Sequence, residues 1–262
     1  MDKSDIIARL TAEEEERLLL SRVWDKAEQC RGRNIPTHTS FLSPHEQALV
    51  KKLLPHLGGD NTVFFGGYEG AERAQLHFLP DWAETAKVEE VCALRAAWHE
   101  SETLTHRDIL GSLMGAGITR ESVGDILINA KEHRADILVT DAMAPYLMEH
   151  WNSAGRVHLH LSLLPLEEVE LPEIAVKEVR DTVSSLRLDN VTAAAFSLSR
   201  GRAQEAVESG KVEVNWVSVV KGDKPVAQGA VITVRGLGKC ELTTVGSPNK
   251  KGRLPIVVKR YI

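Results

Sequence analysis

Between Val88 and Leu163 the apolar residues switch between strand-like and helix-like spacing, and the order of those switches leaves few ways to fold. A strand-like run from Val88 to Trp98 comes first. Thr105 with Asp108 three residues on then makes a capping box, opening a helix that Gly115 and Gly117 close. Two strand candidates follow, Ser122 to Ala130 and Arg134 to Thr140. A helix from Asp141 to about Ser153 and a strand from Arg156 to Leu163 complete the order βαββαβ.

That order is the ferredoxin-like plan, which RNA-recognition domains share with many domains that never touch RNA. An RNA-recognition sheet stacks bases on aromatic residues of its central strands, and Arg134 to Thr140 contains none. The pattern therefore implies the fold without its RNA chemistry. Upstream, Ile6, Leu10, Leu18, Leu19 and Val23 keep helical spacing in one amphipathic stretch from Ile6 to about Gln29, with Glu13 to Glu16 on the solvent side. Ser43, Pro44 and Glu46 begin a second helix through Leu53, which Pro55 ends. Thr62 to Phe65 and Gln75 to Leu79 read as strands around the turn Gly66 to Gly70. We expect an α+β chain with a small α+β N-terminal domain over residues 1–82 and a ferredoxin-like, RRM-like central domain over 83–170. The acidic, proline-bounded stretch Pro165 to Glu173 reads as a linker.

The net charge of −5 conceals a division. Residues 1–179 hold 18 Lys and Arg against 30 Asp and Glu, a balance of −12, whereas residues 180–262 hold 14 against 7, a balance of +7. A locally basic end on an acidic carrier points to a polyanion partner, because cations that neutralise phosphates release condensed counterions. Cys30, Cys92 and Cys240 are odd in number and lack CxxC spacing, which suggests neither a disulfide framework nor a zinc site. The N-terminus is acidic where a secretory signal needs a basic start, and no apolar run approaches the roughly 20 residues of a membrane span. A soluble, cytoplasmic monomer is expected, with no membrane partner.

In the basic end, Arg187-Leu188-Asp189 opens a helix with Leu188, Val191, Ala195 and Leu198 apolar. Ser199 caps a second helix whose buried stripe is Ala203, Ala206 and Val207, and Gly210 ends it. Lys211 to Trp216 alternates with period two, and Val231 to Gly236 follows Gly229 as another strand. Two short helices backed by a twisted hairpin result. This series resembles the S4 domain, whose αL-type form has an RLD first helix, an SR second helix, G-x-V-x-V-N into a strand and a later V-R-G strand. The matches are Arg187-Leu188-Asp189, Ser199-Arg200, Gly210, Val212, Val214-Asn215, Gly229 and Val234-Arg235-Gly236. The departure is Ala230, where the family usually has an acid. The S4 RNA-binding domain is expected over residues 181–262.

The stretches Gly66 to Arg73, His106 to Leu113 and Val183 to Asp189 resemble the YlmH family of bacterial S4-domain proteins across nearly the whole chain. The resemblance implies structured RNA as partner, both rRNA and tRNA on the large ribosomal subunit, and a role in rescue of stalled translation or in ribosome maturation. No cofactor and no catalysis are expected. The site residues expected to contact RNA phosphates are Arg187, Arg200, Arg202, Lys211, Arg235 and Lys239, with Ser199 and Asn215 adding hydrogen bonds. The tail Lys250-Lys251-Gly252-Arg253 with Lys259-Arg260 either extends the basic surface or keeps a final hairpin soluble.

Competing readings are weaker. His106-Arg107-Asp108 imitates a kinase catalytic loop without its Asn or DFG, and helix capping accounts for it. Gly66 to Gly70 fits neither GxGxxG nor a P-loop, which leaves a tight turn. His158 and His160 share a strand face but have no third ligand at a metal-binding spacing. An RNA-modifying enzyme of methyltransferase or pseudouridine synthase type would need a cofactor loop or a further catalytic domain. A protein scaffold with incidental RNA binding is the other alternative.

Overall fold

A computed structural model describes residues 2–58, 61–83, 90–172 and 175–262. The chain is mixed α+β and forms two compact units, residues 1–172 and 173–262.

The first unit begins with α1 (Lys3–Leu10), α2 (Glu14–Arg33) and α3 (Pro44–Leu57), packed on an antiparallel sheet of β1 (Thr37–His38), β2 (Thr62–Phe65) and β3 (Gln75–Phe78) in the order β1-β3-β2. Leu20, Val23, Leu53 and Leu76 fill its core. The single amphipathic stretch expected from Ile6 is two helices, because the Thr11 hydroxyl accepts from the Glu13 N–H at 3.1 Å and bonds Glu16, turning the chain. The Ser43–Glu46 capping box is present, but Pro55 does not end α3. Proline there removes only one late hydrogen bond, and the helix stops at Gly58 with φ 66°.

The same unit continues with β4 (Val91–Ala97), α4 (His106–Gly115), β5 (Val123–Asn129), β6 (Arg134–Thr140), α5 (Ala144–His150), β7 (Ser153–Ala154), β8 (Val157–His158) and β9 (His160–Leu164). The four-stranded antiparallel sheet runs β5-β6-β4-β9, the ferredoxin-like order. Lys87 and Val88, the expected start of this pattern, lie outside the described residues. Two expected elements are shorter. The helix from Asp141 ends at His150, where Trp151 turns inward to 1% exposure and donates from Nε1 to Ser112 Oγ at 2.9 Å. The strand from Arg156 is split at buried Leu159, whose N–H bonds Asn152 O. One sheet face packs Leu94, Ala96, Ile137 and Val139 with Ile109, Leu113 and Leu147 of the helices. The other face is covered. Phe41 sits on Val91, Ala93 and Leu138, with Phe65, Tyr68, Leu166 and Val169 around them. The stretch read as a linker lies along this face: Arg95 pairs with Asp136 and donates to Glu168 O at 3.3 Å, and Glu170 N bonds Asp136.

The second unit is β10 (Val176–Val183), α6 (Leu188–Phe196), α7 (Arg200–Glu208), β11 (Val212–Val214), β12 (Val217–Ser218), β13 (Val231–Val234), β14 (Gly238–Val245) and β15 (Leu254–Tyr261). The expected hairpin is a six-stranded sheet, β10-β15-β14-β13-β11-β12. The alternation of Lys211 to Trp216 does not continue as one strand. Asn215 and Trp216 both take positive φ, 49° and 62°, so the chain reverses between Val214 and Val217. Ile232, Val234, Cys240, Leu242, Ile256 and Val258 form one core with Leu188, Val191, Ala195 and Val207.

Candidate nucleic-acid interface

Helix α7 carries two arginines in its first turn. Ser199 caps it, its hydroxyl accepting from the Arg202 N–H at 3.3 Å, so the first turn is fixed with Arg200 and Arg202 exposed. Neither side chain has a hydrogen bond or ion pair among the described residues. Arg200 borders a cleft of about 620 Å³ that also takes in Arg180 of β10, Arg253, Ser184, Asn190 and Ser197. Arg253 is held there by Thr182, its Nε donating to Oγ1 at 3.1 Å and its Nη2 to the backbone carbonyl. Arg180 and Arg253 were not among the expected site residues, because the strand pairing that brings them to α7 spans the whole unit.

The other expected residues are dispersed. Arg187 is engaged by Asp189, donating from Nε and Nη2 at 3.1 and 2.7 Å. Asp189 is 1% exposed, and those bonds hold its carboxyl below the usual carboxylate range. Lys211 and Arg235 are exposed neighbours, joined by Arg235 N to Lys211 O at 2.9 Å. Asn215 flanks the opposite end of β11, and its Oδ1 accepts from Val231 N at 2.9 Å, so it shapes the turn. Lys239 lies over the Tyr261 ring, 5.0 Å from its centroid, with Lys259 at 5.8 Å. Ala230 is 4% exposed in the core, which leaves no room for the acid usual after this glycine.

The glycine-rich motif of the first unit is a joint. Asp125 on β5 accepts from Tyr68 Oη at 2.8 Å, Glu72 N at 2.7 Å and Arg73 N at 3.1 Å. Arg73 donates in turn to Val123 O at 2.9 Å, Phe41 O at 3.0 Å and Arg120 O at 3.2 Å. A Cβ on Gly66 would meet Arg73 O at 2.3 Å, and one on Gly67, at φ 100°, would meet Leu138 Cδ1 at 2.5 Å. Backbone approach, not phosphate binding, explains these glycines. His106-Arg107-Asp108 opens α4, with Asp108 returning the Thr105 capping bonds. His158 and His160 meet edge to face at 5.4 Å, and no group of three metal-binding side chains occurs among the described residues. No described helix is long and apolar enough to cross a membrane.

Comparison with known proteins bears on both units. A family model described as "YlmH, N-terminal" matches residues 15–81, and one described as "Putative RNA-binding domain in YlmH" matches residues 99–168. The Bacillus subtilis (strain 168) protein named ribosome-associated protein quality control protein P2 is 31% identical over 224 residues, 85% of this chain and 86% of its own. Among solved structures, the cell division protein ylmH from Streptococcus pneumoniae aligns with a TM-score of 0.52 at 20% identity, over 61% of this chain and 98% of its own, a likeness of fold.

Proposed function

Because the chain belongs to the YlmH family, we propose that it is a non-catalytic RNA-binding protein of the ribosome, whose second unit is an S4-type domain gripping structured RNA. The carrying observation is the pair Arg200 and Arg202, exposed on a capped helix with no hydrogen bond or ion pair among the described residues, beside a cleft that also holds Arg253 and Arg180, the latter paired with Glu178. Guanidinium groups that are not held in hydrogen bonds or ion pairs can take phosphate oxygens in paired geometry. Lys211 and Arg235 extend the contact, Lys239 adds charge from the sheet, and Ser199, Asn215 and Arg187 hold the backbone that displays these cations. A-form RNA closes its major groove to side chains, so shape and 2′-hydroxyl contacts dominate recognition. The partner is rRNA and tRNA on the large subunit, and the task is rescue of stalled translation, in keeping with the printed name of the Bacillus relative.

The test is crosslinking in cells, followed by sequencing of the attached RNA, for the wild type and an Arg200→Glu, Arg202→Glu variant. Crosslinks on large-subunit rRNA and tRNA that vanish in the variant are expected. In vitro, the variant should lower the slope of log affinity against log salt by about 0.7–0.9 for each phosphate it no longer neutralises. Crosslinks unchanged in the variant would overturn the assignment of this surface. A calorimetric signal with S-adenosylmethionine would overturn the non-catalytic reading.

A further inference from the structure

We propose that the stacked rings of Tyr146 and His150 on α5 form a platform for an unpaired RNA base, a second contact site in the first unit. The proposal deepens the RNA-binding reading and rests on it. Residues 99–168, the stretch matched by the RNA-binding model, carry 5 Lys and Arg against 11 Asp and Glu, a balance of −6. Release of counterions from phosphate cannot supply the affinity of so acidic a surface, which leaves stacking and hydrogen bonding. The open face of the sheet, where this fold stacks bases in RNA-recognition domains, is covered by Phe41 and by Leu166 and Val169. Tyr146 and Trp151 are the only Phe, Tyr or Trp in the stretch, and Trp151 is 1% exposed. Tyr146 is the one such ring that the domain can offer to a base.

The ring is prepared for that use. Tyr146 is 41% exposed, and its hydroxyl donates to Ala116 O at 2.9 Å, which fixes the ring against the end of α4. His150 lies on it with centroids 4.4 Å apart and planes at 14°, its own Nδ1 3.0 Å from Tyr146 O. Two exposed side chains are thereby held flat and parallel before any ligand arrives. Pre-ordered rings lose little freedom when a base adds to the stack. Glu149, its side chain 80% exposed, brings Oε2 to 4.0 Å from His150 Nδ1, so a carboxylate stands beside the rings and the site favours the uncharged base over the phosphate.

The probe is an unstructured oligouridylate RNA containing one 2-aminopurine, titrated with the full-length chain. Wild type should quench the fluorophore. Tyr146→Ala should abolish the quench and weaken binding about tenfold, a loss within the range known for stacking on one ring. Tyr146→Phe, which keeps the ring and drops the bond to Ala116, should retain most of both. The salt slope should be unchanged in Tyr146→Ala and reduced in Arg200→Glu, Arg202→Glu. Wild-type quench and affinity in Tyr146→Ala would overturn the platform, and so would equal losses in the Phe and Ala variants, which would make the residue structural. In those cases a surviving effect of the α7 variant leaves the function proposed for the second unit standing; loss of RNA binding from every form, wild type included, removes both.

Discussion

Asp189 is a carboxylate with 1% of its surface exposed, and the fold accepts it because Arg187 grips both oxygens while Asn190 N adds a third bond. The Arg-Leu-Asp motif is thus legible in the sequence as a helix start, while its ion pair and its seat against Gly222, where a Cβ would lie 3.3 Å from Asp189 Cβ, follow only from the tertiary turn. Arg187→Ala should therefore lower the thermal midpoint, and Arg200→Ala should leave it unchanged while weakening RNA binding; calorimetry paired with a filter-binding assay separates the two. Asp189 contributes stability at pH values above the ordinary carboxylate range and loses it as pH falls through its lowered pKa. His77 behaves similarly at higher pH. Burial, followed by the neighbouring His38, pushes its pKa down to about 4 despite Glu90 at 3.7 Å. Between about pH 6.5 and 4 the unfolded chain takes up a proton that the folded chain refuses, so stability should fall across that window by on the order of 3 kcal/mol. Denaturation of His77→Leu across the same window should show a flatter acid limb.

At the scale of elements, what was legible was local. The capping boxes at Ser43 and Thr105, the Ser199 cap and the strands at Thr62–Phe65 and Arg134–Thr140 are each written within a few residues, and all are present. What sequence spacing missed were interruptions imposed by side chains reaching elsewhere: Thr11 toward Glu16, Trp151 toward Ser112, Asn215 toward Val231. Each breaks an element whose apolar period runs on undisturbed. The joint built on Gly66, Gly67 and Arg73 was visible as a motif and lacks any chemical signature because its purpose is close approach. Gly67→Ala should destabilise the first unit by about 1–3 kcal/mol through its overlap with Leu138, read as a shift of the urea midpoint without a change of slope.

At the scale of the molecule, the division of charge shows where exposed cations concentrate, since residues 180–262 carry a balance of +7 and contain Arg200, Arg202 and Arg253, which we propose contact phosphate. It could not foretell which cations converge, because Arg180 and Arg253 reach α7 through the pairing of β10 with β15. That pairing joins the first strand of the unit to its last, with both helices strung between them. Non-local pairing of this kind is slow, since the loop must close before any contact rewards it. Pulse-labelled hydrogen exchange during refolding should show amides of β10 and β15 protected after those of β13 and β14. A chain caught before that closure has α7 and its two arginines yet lacks the strand that carries Arg180. On the proposed reading, the cleft beside α7 is complete only once the two ends of the unit have met.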